Sequence, residues 1–445
     1  MVNPFWNAMS DAVFGEAVEA YSAHGAGHLP SHYKVSDFAE ATVGLAGVAL
    51  ARLRAGQGGQ VTVDRRLASL WFDMTLRPDG WEAPSLWDAV AGNYRCKEGW
   101  IRLHTNAPHH RDAALSVLGV PVDREAVAGA VQAWDVAALE NAIVAANGCA
   151  AQMRSAEAWA EHPQGRAVAQ EPLVHWQDHG SCSPAPIKSL NGIRVLDLTR
   201  VLAGPVATRF LAGFGAEVLR IDPPGWNEPG VEMEVTLGKR CAGLDLTRAN
   251  DLGRVKQLLS EADVFVHGYR GDALERLGLG DDVRRAVNPR LIDVRLNAYG
   301  WSGPWKNRRG FDSLVQMSCG IAALGMAEEG ASNPVPLPVQ ALDHGTGYLM
   351  AACVLEALAA RAQGRIKSAR VSLARTAHLV MQHRCALERT GAIASAAGDF
   401  GEVLEQTGWG PAHRIKAPLQ VMGAGPRWSV GAGPLRRDPA AFGAR

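Results

Sequence analysis

The residue best placed to do chemistry is Asp343, in the run LDHGTGYLMAACVLEALAAR, where a carboxylate directly precedes a long apolar helical pattern. Asp is a common helix N-cap. A carboxylate at a helix start is held ionised by the dipole, and an ionised carboxylate is a competent nucleophile. Gly345 and Gly347 follow at once and offer either a plain turn or exposed backbone N–H groups beside the carboxylate. PHHR at 108–111 lacks a third metal ligand nearby and reads as a surface loop. The seven cysteines contain no CxxC pair, which argues against a zinc ribbon or thioredoxin-like site and fits a reducing compartment.

The elements that must position these residues show in the periodicity. From Ile193 onward short apolar strands alternate with helices: IRVLDL, the turn TRVLAGP with Pro205 suited to a first helical position, VATRFLAGFGA, EVLRID, helix 250–261, ADVFVHG, DDVRRAVN and LIDVRL. That alternation predicts a doubly wound parallel sheet, a Rossmann-like α/β large domain. Residues 84–171 mix strand-like GWIRLHT with the helical runs AALSVLG, DREAVAGAVQAW and DVAALENAIVAAN, the pattern of a smaller α+β domain. The expected division is an N-terminal helical segment 1–83, the small domain 84–171, a polar Pro-containing linker 172–190, the large domain 191–390 and a Gly/Pro-rich return segment 391–445.

Bulk properties narrow the function classes. The 445 residues contain 45 Lys+Arg and 45 Asp+Glu, so no net field attracts nucleic acid or a membrane surface. With 47% hydrophobic and 20% charged residues the chain can bury a full core. No apolar run is long enough to span a bilayer, and the N-terminus lacks a signal-peptide core, so a cytoplasmic protein is expected. The thirteen tryptophans read as packing residues.

Residues 36–63 and 344–372 repeat one plan: an Ala/Leu helix, an Arg, a Gly-containing turn (AGQGGQ in the first) and a Val-rich strand, GGQVTV against SARVSL. Each runs on into a helix-like segment. Aligning the glycine turns without gaps puts Lys34 near the Asp343 position, with Asp37 out of register.

Six blocks in order carry a resemblance: NGIRVLDLTRVLAGPVATRFLAGFGAEVLRIDPPG, GKRCAGLDL, ADVFVHGYRGDALERLGLG, NPRLIDVRLNAYGWSGP, FDSLVQMSCG and ALDHGTG. Together they resemble the class III CoA-transferases, the formyl-CoA transferase, carnitine-CoA transferase and α-methylacyl-CoA racemase group. EGWIRLHTNAPHHRDAALSVLG and WDVAALENAIVAANGCAAQMRSAEAWAEHPQ resemble the start and end of that family's small domain, here placed before the large one. The order suggests two tandem copies, the first without its front and the second without its middle.

By this resemblance Asp343 is the catalytic carboxylate, coenzyme A is bound as acyl-CoA without a metal, and a homodimer, interlocked in ordinary members, is the expected assembly. The thioester would pass its acyl group to Asp343 as a mixed anhydride, then leave CoA on the aspartate for a carboxylic acid acceptor. Arg200, Val201, Leu202 and Ala203 would line the first βα turn, and Leu237, Gly238, Lys239 and Arg240 would contact the nucleotide. His267, Gly268, Tyr269 and Arg276 would close a third strand, and Asn297, Ala298 and Tyr299 would flank the thioester. Gly345 and Gly347 would stand at the oxyanion. The racemase branch needs a second base where this chain has Phe311, which carries no proton. Intramolecular CoA transfer uses the same Asp343, and a non-catalytic acyl-CoA-binding homologue is the rival from another class.

Overall fold

The computed structural model describes residues 3–56 and 59–443; Gln57 and Gly58 of the predicted first glycine turn lie outside the described residues. In chain order, helix α1 (Val35–Ala55) leads through that turn to strand β1 (Val61–Asp64) and helix α2 (Arg65–Leu70). Then come β2 (Gly92–Arg95), β3 (Trp100–Leu103), α3 (Pro108–Leu118), β4 (Ala150–Gln152) and β5 (His175–Ser181). The large domain contains β6 (Arg194–Leu198), α4 (Ala203–Gly213), β7 (Glu217–Asp222), β8 (Lys239–Gly243), β9 (Val264–His267) and β10 (Ile292–Asn297). It ends with α5 (Asp312–Cys319), α6 (Ala341–Ala362), β11 (Arg365–Ser372) and α7 (Leu373–Met381), and β12 (Leu419–Val421) lies in the C-terminal segment.

The principal sheet has the order β8-β7-β6-β9-β10-β11-β5. Six strands are parallel and β5 joins the edge antiparallel to β11. Counted from β6 the parallel strands run 3-2-1-4-5-6, the doubly wound arrangement whose order reverses between β6 and β9. Both strands are buried and mostly apolar, with Val195, Leu196 and Leu198 in β6 and Val264, Phe265 and Val266 in β9, as a sheet covered on both faces requires. The α/β expectation therefore holds. Two local expectations do not. The segment 172–190 is not irregular throughout, because β5 lies inside it. Pro205 is the third residue of its helix rather than the first.

The small antiparallel sheet β2-β3-β4 packs its own core, centred on Ile101, Leu103, Leu115, Val127, Leu139 and Ile143. Its outer face meets α5, where Trp100, Cys149 and Ala151 pack with Leu314 and Met317. The small sheet thus lies against the helix that leads toward Asp343, although it is encoded some two hundred residues earlier.

The internal echo is visible as structure. α1–β1–α2 and α6–β11–α7 are equivalent units, and α1 packs along α6. Their N-cap residues have the same backbone angles, Lys34 at φ −73°, ψ 60° and Gln340 at φ −71°, ψ 61°. Each helix also begins with the same short contact, Val35 N to Tyr33 O and Ala341 N to Val339 O, both 2.7 Å. Lys34 therefore corresponds to Gln340, and Asp37, not Lys34, is the counterpart of Asp343. The extra residue of α6 relative to α1 accounts for only part of the ungapped alignment's slip.

Candidate active site

Asp343 is the third residue of α6, one turn inside the N-cap position that its sequence context suggested. The cap is supplied from elsewhere. Asp312, the first residue of α5, accepts hydrogen bonds through Oδ2 from the backbone N–H groups of Leu342 (2.9 Å) and Asp343 (3.0 Å). A side chain from another helix thus satisfies two donors that a helix start leaves unpaired. Gln316 on α5 donates to the other oxygen of Asp312 and accepts from Leu337 N, which fixes the arrangement.

The electrostatic result opposes the dipole argument. Asp343 is 6% exposed, and burial, reinforced by the negative charge of Asp312, holds its carboxyl well above the usual carboxylate range. Asp312 is itself pushed up to about 6, by burial before anything else. Two carboxyls this close resist simultaneous ionisation. In the unliganded site the helix dipole does not win.

Asp343 opens into a cavity of about 320 Å³ at the point where the strand order reverses. Thr199, Arg200 and Val201 enter from the end of β6, Gly268, Tyr269 and Arg270 from the end of β9, and Asn297 and Ala298 from β10. In open α/β sheets this is where ligands bind. Val201 has φ +63°, a left-handed conformation that is strained for a β-branched residue and costs about 1–3 kcal/mol. Its N–H is held by Glu228 Oε2 at 2.9 Å. Arg200 donates to the Tyr269 hydroxyl at 2.9 Å and lies over the Trp226 ring, 4.8 Å from its centroid.

Of the predicted contact residues, Arg200, Val201, Ala203, Gly268, Tyr269, Asn297 and Ala298 line this cavity with Asp343. The others stand outside its lining. Leu202, Leu237 and Tyr299 are buried packing residues, and the Tyr299 hydroxyl bonds Ser318. Gly238 adopts φ +79° beneath Trp428. Lys239 is completely buried, its ammonium 3.0 Å from both Asp197 Oδ2 and the carbonyl of Pro205. A phosphate could reach it only after that pair broke. Arg240 faces Glu217 at 3.5 Å, and Arg276 is exposed and paired with Asp272. His267 is buried 3.5 Å from Asp293 and burial lowers it to about 4.

Gly345 and Gly347 lie inside α6 rather than in a turn. A Cβ on Gly345 would come within 2.2 Å of the Phe38 ring on α1, and one on Gly347 within 2.4 Å of the Ala203 carbonyl on α4. Both permit α6 to approach its neighbours closely.

The cavity's positive charge comes mainly from residues that the sequence did not single out. Arg270, Arg308 and Arg309 join Arg200 there. Arg308 is tied to Glu140 at 2.9 Å, while burial and the adjacent Arg309 lower Arg270. His109 and His110 complete the wall, so PHHR is not a surface loop: it forms the first turn of α3, and His110 is buried. Burial drops His110 to about 3 and His104 well below the normal imidazole value, leaving both rings neutral. They flank Phe311, His104 stacked at 3.8 Å between centroids and His110 edge-on at 5.8 Å. RRGFDSL was the available signal, since it holds Arg308, Arg309, Phe311 and Asp312 in one run. No cluster of His, Cys, Asp or Glu among the described residues could hold a metal.

A carboxyl on the rim of a cation-lined cavity at the switch point suits a ligand with an anionic tail and an electrophilic carbonyl. Comparison with known proteins bears on the class. Residues 190–402 match CoA-transferase family III. The matched segment covers the principal sheet from β6 onward, α5 and Asp343. An acetyl-coenzyme A transferase of Hypoxylon pulicicidum is 31% identical over 303 residues, 62% of this chain and 51% of that protein. A mouse succinyl-CoA:glutarate CoA-transferase is 32% identical over 188 residues, 39% of this chain and 43% of that protein. A crystal structure of a Mycobacterium tuberculosis protein aligns at 32% identity with a TM-score of 0.38, covering 45% of this chain and 58% of that one. The chain spans about half the length of the curated relatives it matches. No helix among the described residues is long and apolar enough to cross a membrane.

Proposed function

We propose that this chain transfers coenzyme A from an acyl-CoA thioester to a carboxylic acid, with Asp343 as the nucleophile. The observation that supports this most is the placement of a buried carboxyl in a cavity walled by Arg200, Arg270, Arg308 and Arg309. The arginines suit the phosphates of CoA.

The ionised Asp343 attacks the thioester carbonyl, giving an acyl–aspartyl anhydride and CoA thiolate. The thiolate attacks the aspartyl carbonyl, the donor acid leaves, and CoA remains on Asp343 as a thioester. The acceptor carboxylate then attacks this thioester and releases the thiolate, forming a second anhydride. The thiolate attacks the acceptor's carbonyl, giving the new acyl-CoA and restoring Asp343. A raised carboxyl pKa serves this cycle, because a more basic carboxylate is the better nucleophile once ionised. An exposed helix N-cap would lack that property.

Tandem mass spectrometry of protein incubated with an acyl-CoA and hydroxylamine tests the proposal. A hydroxamate on Asp343 is expected. Bound CoA with no modification there would instead support a non-catalytic acyl-CoA-binding role.

One observation supports a second reading, exchange of the α-proton of an acyl-CoA. Phe311 carries no proton, yet His110, contributed by α3, stands in the same cavity as Asp343. Deuterium wash-in at the α-carbon, without acid acceptor, separates this from transfer. Cytoplasmic location and a homodimer remain part of the proposal.

A further inference from the structure

A second cavity of about 340 Å³ adjoins the first, and Val201, Trp226 and Phe311 line both. It shares that wall with the cavity that holds Asp343. Its remaining apolar wall comes from Leu86, Trp87 and Val231. An aromatic stack forms one side: His104 lies flat on Phe311, and Trp87 meets the His104 ring edge-on at 6.0 Å.

Two acidic residues, Asp88 and Glu228, line this chamber, and no lysine or arginine does so among the described residues. Both are occupied. Asp88 accepts from Arg111 (3.1 Å), from Thr105 (2.8 Å) and from Val90 N (3.2 Å). Glu228 is bonded by Arg220, by Trp226 Nε1 (2.9 Å) and by Val201 N (2.9 Å). The basic side chain His104 is held neutral by burial, and its Nδ1 has no hydrogen-bond partner. A second carboxylate on a ligand would therefore enter a space with two acids in its wall and no cation to receive it. An aromatic or branched apolar group meets complementary rings instead.

We infer that this chamber receives the acyl part of the substrate and selects bulky apolar monocarboxylic acids, preferably aromatic, over dicarboxylic acids such as succinate or glutarate. This rests on Asp343 being the transfer nucleophile and adds the class of acid it serves. The chamber's depth is set where the chain closes on itself. A Cβ on Gly230 would meet the Ser85 carbonyl at 2.6 Å and Leu86 Cα at 2.7 Å, so the 229–231 turn is seated directly on the 85–86 wall.

The test is a donor panel of phenylacetyl-, octanoyl-, succinyl- and glutaryl-CoA, scored by hydroxamate at Asp343 and by kcat/KM. Phenylacetyl-CoA should exceed glutaryl-CoA by roughly 100-fold, the scale on which a mismatched polar group is rejected. Val231→Arg places a cation in the chamber and should shift that ratio at least about ten-fold toward glutaryl-CoA. Equal labelling by succinyl- and phenylacetyl-CoA, or a Val231→Arg protein with an unchanged ratio, would overturn the inference. If no thioester labels Asp343, the transfer proposal fails, and calorimetry of phenylacetate against glutarate with CoA-loaded protein reads the chamber by itself. Preference for phenylacetate then upholds the selectivity, and preference for glutarate overturns it.

Discussion

Asp312 caps the helix that carries Asp343: its Oδ2 lies 3.0 Å from the Asp343 backbone nitrogen. One carboxylate thus orients the other and at the same time raises its pKa. Transfer needs Asp343 ionised, so kcat/KM should fall on the acid side, with an apparent pKa that belongs to the pair. Asp312→Asn keeps an oxygen for the two N–H groups but removes the charge. The acid limb of the pH–rate profile should then move to lower pH; an unmoved limb would separate Asp312 from the titration.

Asp343→Asn should abolish transfer and stabilise the protein, and the stabilisation should depend on pH. The folded-state pKa of Asp343 is raised, so its protonated form favours folding at low pH and that contribution is lost as pH rises above the unfolded value of about 3.9. The melting temperature of the variant relative to the natural protein should therefore increase from pH 4 to pH 8. Thermal melts at the two pH values check it.

Lys239 and Arg270 should separate cleanly. Lys239→Met leaves Asp197 buried without its cation and should cost about 3–5 kcal/mol of stability, measured by urea unfolding. Arg270→Met should leave unfolding nearly unchanged and raise KM for acyl-CoA roughly ten-fold, because it removes a cavity cation without breaking an internal pair.

Gly347→Ala forces a methyl group against the Ala203 carbonyl, which belongs to backbone and cannot swing away. The expected loss is about 1–3 kcal/mol, read from chemical denaturation. Activity should fall as well, since α4 starts at the turn carrying Val201.

The strand–helix alternation was legible from Ile193 onward because each buried parallel strand is a short unbroken apolar run. The strand β5 was not, since HWQDHGS has only Trp176 as a large apolar residue and no alternating apolar pattern. The resemblance named Asp343 and residues at the β6 and β9 termini, and these line one cavity. His110, Arg308 and Asp312 were not, because their roles depend on how α3 and α5 meet α6. Lys239 misled for a simple reason: residue type alone does not distinguish a solvated cation from one neutralised in the core.

Asp37→Asn should leave transfer at its normal rate, although Asp37 is the structural counterpart of Asp343. Its carboxylate is 3.2 Å from Arg65, which also holds Glu40 at 3.1 Å. Steady-state kinetics on the variant test this.

The pairing of α1 with α6 has a further consequence. When two identical subunits meet about a twofold axis, every substitution appears on both sides at once. Here the two related helices are written separately in one chain, so each can drift alone. Arg65 could come to sit on Asp37 without any change at Asp343, and Phe38 could fill the space left by Gly345 while its own counterpart became His344. Covalent union of the two halves releases the fold from the obligation to be symmetric.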